Sequence, residues 1–307
     1  MRGFFLALSR SELLRKTAIR LGPARRMARR FVAGETLPEA ITVVETLNTQ
    51  GLLATLDHLG ENVTGEIEAR DATAEILVLL NAIDASGIRS GVSVKLTQLG
   101  IDLSPALAAE NLERIVARAA GIGRFVRIDM ESSDYVQPTL DLFADLYQRY
   151  KNVGVVIQSY LYRSAEDVAW LVRMGASVRL VKGAYDEPQE VAYPDKADTD
   201  ANYIRLMEHL FSDEAQANGV FPAIATHDTQ LVDWAKDHSR RRGIPGDRFE
   251  FQMLYGIRSG LQRQLVAEGY RVRVYVPYGE HWWPYFMRRL AERPANLRFL
   301  VRNLLKA

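Results

Sequence analysis

The chain has 307 residues, 48% of them hydrophobic and 25% charged, with a formal net charge of +1, enough for one large core or two ordinary ones. Near-neutral charge argues against a nucleic-acid binder, which carries a strong basic excess. The absence of cysteine rules out disulfides, thiolate nucleophiles, zinc–cysteine sites and iron–sulfur clusters, and fits a reducing compartment.

No apolar run reaches the ~20 residues that span a bilayer. Met1 to Ser9 offer a short apolar segment after one arginine, at the minimum length for a signal peptide and with no small-x-small site after it. Leu13, Leu14, Ala18 and Ile19 continue at helical spacing, so residues 1–50 are expected to form a helical N-terminal extension. Within it Arg25, Arg26, Arg29 and Arg30 flank Met27, Ala28 and Phe31. That basic face is either solvated or a contact for phospholipid. Thr36, Pro38 and Glu39 mark a helix start that carries Ala40 to Leu47.

From residue 51 the pattern changes. Short apolar, β-branched runs occur at Leu52–Leu56, Val92–Leu96, Phe125–Ile128, Val153–Ile157, Val178–Val181, Val220–Ala225, Phe249–Leu254 and Val272–Val276. Segments of helical period lie between them, among them Ala72–Ile83, Ala106–Ala119, Thr139–Tyr150 and Ser259–Ala267. Such alternation builds parallel α/β folds, and eight units over residues 51–307 fit a closed barrel better than an open sheet. The expected fold class is therefore α/β, a (β/α)8 TIM barrel with a helical N-terminal extension and a final helix over the active site. The open doubly wound alternative lacks its fingerprint. Gly121-Ile-Gly123 precedes a strand where the dinucleotide motif must follow one, and no GxxxxGK[ST] loop occurs.

Barrel enzymes carry their chemistry at the C-terminal ends of the strands, where a charge must be paired or functional. In chain order the second to eighth strands deliver Lys95; Arg127, Asp129 and Glu131; Gln158; Arg179, Lys182 and Tyr185; Thr226, His227 and Asp228; Glu250, Gln252 and Leu254; and Tyr275. A Pro/Gly turn then leads into an aromatic-rich helix on which Tyr285, Arg288 and Arg289 stand at i, i+3 and i+4, on one face. Two guanidiniums beside a phenol form a fork for a small carboxylate or phosphate. Read as lying near the helix start, the arginines gain nothing from the helix dipole, which points to a bound anion as compensation. The mouth is expected to be cationic on the side of Lys95, Arg288 and Arg289. Metal is not expected, since Asp57-His58-Leu59 offers one imidazole where a barrel hydrolase needs two. The residues leave open a Schiff-base lysine at Lys95 or Lys182, an organic cofactor held by the barrel, and a non-catalytic ligand-binding barrel.

At these residues the chain resembles the proline dehydrogenase family, flavoenzymes with a distorted (β/α)8 barrel, and most of all its monofunctional bacterial members. The strings that carry the resemblance are Ser93-Val-Lys95-Leu-Thr97, Ile128-Asp129-Met130-Glu131, Gln158-Ser-Tyr-Leu-Tyr162, Arg179-Leu-Val-Lys182-Gly-Ala-Tyr185, Ala225-Thr226-His227-Asp228, Phe251-Gln252-Met-Leu254-Tyr255-Gly256 and Tyr285-x-x-Arg288-Arg289. The resemblance implies FAD-dependent oxidation of L-proline to Δ1-pyrroline-5-carboxylate by hydride transfer from proline C5 to flavin N5, with electrons passed to a membrane quinone. It implies a cytoplasmic protein, with a peripheral contact at the inner membrane face left open along with the oligomeric state.

Residue by residue, the resemblance implies that Lys95, Arg288 and Arg289 bind the proline carboxylate. Tyr275, Tyr285 and Leu254 would pack on the ring, and Tyr185 would close the pocket. Asp129 would lie beside the substrate and fix its neighbours, with Arg179 near flavin N5. Met130, Gln158, Lys182, Gly183, Ala184, Thr226 and His227 would contact FAD. Glu292 would pair with an arginine of the last helix. Two places depart from the family pattern: Glu280 stands where monofunctional relatives carry a basic residue, and Asp186-Glu187 stands where the bifunctional relatives stack an aromatic on the flavin.

Overall fold

In the computed structural model, which describes residues 28–291, eight parallel strands close into a barrel in sequence order. They are β1 (Leu53–His58), β2 (Ser90–Val94), β3 (Val126–Ile128), β4 (Val153–Gln158), β5 (Ser177–Val181), β6 (Phe221–Ala225), β7 (Glu250–Leu254) and β8 (Arg271–Tyr278). Closure runs through β1 and β8, with Thr55 opposite Tyr275 and Asp57 opposite Pro277. Helices α1 (Leu37–Thr49), α2 (Glu66–Ser86), α3 (Pro105–Gly121), α4 (Val136–Arg149), α5 (Ser164–Met174), α6 (Lys196–Leu210), α7 (Asp213–Ala217), α8 (Thr229–Arg241), α9 (Ser259–Ala267) and α10 (Trp282–Ala291) accompany them among the described residues. Among the described residues no helix is long and apolar enough to cross a membrane.

The strands form where β-branched runs are buried on both faces, as β2 and β4 are at every position. Helix starts follow local chemistry. Glu39 closes a capping box on α1 by accepting from the Thr36 and Glu35 amides at 3.1 and 2.8 Å. The Ser104 hydroxyl caps α3 ahead of Pro105.

Two expectations about the ends need correction. Residues 29–36 are turn and coil instead of helix. Gly34 takes φ +119, and the segment pairs with the barrel mouth, Ala33 N–H donating to Pro277 O at 2.8 Å and Gly279 N–H to Gly34 O at 3.1 Å. Gly256 admits this close approach, because a Cβ there would stand 1.6 Å from the Arg30 carbonyl oxygen. Arg29 is paired with Glu39 at 2.9 Å; Leu13, Leu14, Ala18, Ile19, Arg25, Arg26 and Glu292 lie outside the described residues.

The second correction concerns α10. It begins at Trp282, so Arg288 and Arg289 stand about two turns in and escape the positive N-terminal end, whose field fades within the first turn. The argument that a bound anion must offset that dipole falls away. What fixes the helix is apolar: Trp282, Trp283, Tyr285, Phe286 and Met287 are buried against Ala28, Phe31, Val32, Leu59 and Ile257, with Leu254 and Tyr275 at the edge of the cluster. Each such side chain contributes about 1.5–3 kcal/mol of burial before entropy is subtracted.

Candidate active site

Barrel interiors of this type are ordinarily filled by branched aliphatics. Here the centre is charged. Lys95, just past β2, donates to Asp57 Oδ1 at 3.0 Å and Tyr275 Oη at 3.3 Å, and its Nζ lies 3.5 Å from Asp129 Oδ2. Asp129, just past β3, takes Arg179 Nη1 at 2.6 Å on one oxygen and the Tyr275 hydroxyl at 2.7 Å on the other. Arg179 rises from mid-β5, donates Nη2 to Ser93 Oγ at 3.2 Å and Nε to Gln252 Oε1, and lies 5.4 Å from the Tyr275 ring centroid. Gln252 in turn donates to Glu250, which Arg273 grips with two nitrogens at 2.7 and 3.1 Å. Deeper still, Arg127 donates to the Val155 and Ser177 carbonyls at 2.9 and 2.7 Å.

Buried charges cost several kcal/mol each unless they are paired, and this arrangement sets their proton affinities. Burial alone would lower Lys95, but the carboxylates of Asp57, Asp129 and Glu61 outweigh it and hold the ammonium above its ordinary range. Burial pushes Tyr275 well up, helped by Asp129 and Asp57. Burial likewise raises Asp57, whose Oδ2 has no hydrogen-bond partner. Arg127, buried and close to Arg179, is pushed well below its usual value.

Arg288 reaches down from α10 to grip Glu61 with both terminal nitrogens, at 2.8 and 3.2 Å. Against the cost of burial, each partner holds the other ionised, Glu61 lowered and Arg288 raised. Arg288 and Lys95 both act on Glu61, so two of the three cations expected at this corner share that carboxylate. The corner is not simply cationic, however, because Asp57, Asp129 and Glu61 stand among them. Tyr185 feels Glu61, Glu131, Lys95 and Arg288, and burial with the two carboxylates raises its phenol. The Arg289 guanidinium lies 5.2 Å from the Tyr285 ring centroid, as the i, i+4 spacing requires. Leu254 is half-buried at the apolar cluster beneath α10.

A second group lines the neighbouring strand ends. Gln158 donates to the Glu131 carbonyl at 2.9 Å, and Met130 is buried beside it in the chain turn. Lys182 pairs with Asp228 at 2.8 Å and with Asp200. Thr226 Oγ1 accepts from the Asp228 amide at 3.1 Å. His227 Nε2 accepts from the Leu254 amide at 2.9 Å, which joins this group to the first. Ala184 is exposed. Gly183 has φ +122 and a Cβ on it would stand 2.5 Å from the Tyr160 ring, so only glycine fits.

These are the residues along which a long polar ligand could be held. Lys182 donates to Asp228 and forms an ion pair with Asp200, with Lys196 beside the same two carboxylates. Bare backbone at Gly183, the Thr226 hydroxyl and the His227 ring add polar contacts over two successive strand ends, those of β5 and β6.

Sequence reasoning misses two members of the site, Asp57 and Glu61, and the partners that Gln252 and Glu187 take. Asp57 obeys the same rule as the others, a charge at a strand end, although the apolar run before it stops at Leu56. Glu61, Gln252 and Glu187 have no signal marking them as partners of Arg288, Arg179 and Ser133.

The profile of a family described as "Proline dehydrogenase" matches residues 40–302. The chain is 43% identical to proline dehydrogenase 2 of Bacillus subtilis over 305 residues, 99% of each chain. It is 45% identical over 286 residues to the proline dehydrogenase of Deinococcus radiodurans, covering 91% of this chain and 90% of that one. Among solved structures it superimposes with a TM-score of 0.81 on proline utilization A from Bdellovibrio bacteriovorus inactivated by N-propargylglycine. That match is at 30% identity and spans 87% of this chain and 32% of the longer one.

Proposed function

Because this chain belongs to the proline dehydrogenase family and is an enzyme of proline oxidation in proline catabolism, we propose that it works with bound FAD, converts L-proline to Δ1-pyrroline-5-carboxylate and passes the electrons to a membrane quinone. The observation that carries this reading is the knot of Lys95, Asp129, Arg179 and Tyr275 at the strand ends, beneath the Arg288–Glu61 pair of the last helix.

In this reading Lys95, Arg288 and Arg289 hold the proline carboxylate. Lys95 is ionised for that task because three carboxylates keep it so. Glu61 occupies the two terminal nitrogens of Arg288, which fixes the direction in which its remaining N–H edge can meet a substrate. Tyr275, Tyr285 and Leu254 supply faces for the pyrrolidine ring, and Tyr185 closes over it. The aromatic floor of α10 excludes water, which strengthens each of these interactions.

Met130, Gln158, Lys182, Gly183, Ala184, Thr226 and His227 would hold FAD, which when bound would supply the two-electron acceptor for the hydride of proline. Arg179 is the cation nearest that chemistry in this reading. Asp129, Ser93 and Gln252 each bind a different nitrogen of it, so its charge is set in place before reaction. A Schiff-base mechanism at Lys95 is disfavoured, since such an amine must be held low enough to lose its proton and this one is held high.

The test of the cofactor reading is the purified protein itself. A yellow holoprotein that releases about one FAD per chain on denaturation supports it. A chain that stays colourless after incubation with excess FAD refutes it.

A further inference from the structure

The excursion between β5 and α6, which carries Lys182, Gly183 and Tyr185, is fastened at two places. Its far limb is tied by main chain: Tyr162 N–H donates to Val191 O at 3.1 Å, Tyr193 N–H to Tyr160 O at 2.7 Å, and Leu161 bridges to Ala192. Its near limb is tied by a side chain. Glu187 accepts from the Ser133 amide at 2.8 Å, from the Ser133 hydroxyl, and from the Tyr160 hydroxyl at 3.4 Å. Ser133 opens the turn that follows Asp129, Met130 and Glu131, so one carboxylate clasps the loop after β3 to the loop after β5.

Tyr185 lies two residues before that clasp. Behind it, Tyr160 N–H donates to Lys182 O at 2.9 Å, and Gly183 rests on the Tyr160 ring. The stretch from Gly183 to Glu187 is thus held between a ring it rests on and a carboxylate that reaches across to Ser133. We propose that Glu187 is a positioning residue: by clasping Ser133 it holds Tyr185 over the substrate end of the barrel and so sets the affinity for the ring of the substrate. This rests on the reading of Tyr185 as the residue that closes the proline pocket. It also gives the acidic pair after Tyr185 a division of labour, since Asp186 is exposed while Glu187 forms the clasp.

The experiment uses the holoenzyme with Glu187→Ala, Glu187→Gln and Ser133→Ala, and Asp186→Ala as control. Hydrogen exchange of the 183–187 amides reports the near limb, that of the 191–193 amides the far limb, and steady-state kinetics with L-proline the site. In Glu187→Ala the near-limb amides exchange about tenfold faster while the far limb is unchanged, as a local opening requires. The KM for L-proline rises about tenfold, the scale of a charge-assisted hydrogen bond, with kcat within about twofold and FAD content unchanged. Glu187→Gln and Ser133→Ala, which each leave part of the clasp, fall between wild type and Glu187→Ala, and Asp186→Ala matches wild type. An unchanged KM in Glu187→Ala overturns the proposal, as does near-limb exchange equal to wild type. If wild type itself does not turn over proline while Glu187→Ala still speeds near-limb exchange, the substrate reading fails and the positioning role falls with it, leaving only the mechanical clasp.

Discussion

The pair between Glu61 and Arg288 joins the loop after β1 to the helix over the mouth, and Glu61→Ala tests what that junction does. Both side chains are mostly buried, at 18% and 24% exposure, and the contact is two-pronged at 2.8 and 3.2 Å. Losing it leaves a largely desolvated guanidinium without its carboxylate, worth about 1–3 kcal/mol of stability at neutral pH and a fall in Tm of about 2–6 °C. The pH dependence has a definite sign. Glu61 titrates below its ordinary value of 4.5 when folded, so its contribution is complete above that value and disappears as pH falls through the lower, folded one. The Tm gap between wild type and Glu61→Ala is therefore widest near pH 7 and narrows once the pH falls below 4.5 toward the lower, folded value. Function responds separately. An arginine that must be ordered on binding forfeits about 1–2 kcal/mol, so KM for L-proline rises about five- to thirtyfold while FAD content holds. Thermal melts across that pH range and steady-state kinetics check both parts. A Tm gap that does not depend on pH, or an unchanged KM, refutes the reasoning.

Other substitutions separate the two halves of the site. Arg289→Met weakens proline binding by at least tenfold, the loss of one charge-assisted contact, and leaves FAD bound; loss of flavin with unchanged proline affinity contradicts its assignment. Lys182→Met does the reverse, lowering FAD occupancy measured by absorbance and leaving Asp200 and Asp228 with Lys196 as their remaining cation. Gly183→Ala must push a methyl into the Tyr160 ring at φ +122, so both FAD content and Tm fall. Borohydride added with a carbonyl substrate leaves no reduced adduct on Lys95 in a mass spectrum of the peptides, because the three carboxylates keep that lysine protonated.

The barrel was legible because buried parallel strands must be continuous apolar runs, and all eight runs became strands with edges shifted by about two residues. The shift at β1 is instructive. The apolar run stops at Leu56, yet the strand continues through Asp57 and His58 because both pair in register with Pro277 and Tyr278 of β8. A polar residue inside a strand is unreadable from periodicity when its partner, Lys95, is 38 positions away. The same distance in sequence hides Glu61 from Arg288, separated by 227 positions. What sequence can show is the chemistry that each strand end brings; which pairs form depends on how the barrel closes. The break in helix over residues 29–36 was hidden for a related reason, since it is set by a close approach to the β7 and β8 ends and not by local propensity.

The central claim is that proline is oxidised at a flavin held by this mouth, and an anaerobic titration of the holoenzyme with L-proline tests it most directly. The account predicts bleaching of the bound flavin in proportion to added proline, with about one Δ1-pyrroline-5-carboxylate formed per flavin reduced. A flavin that stays oxidised under saturating proline, or that bleaches without forming that product, contradicts it.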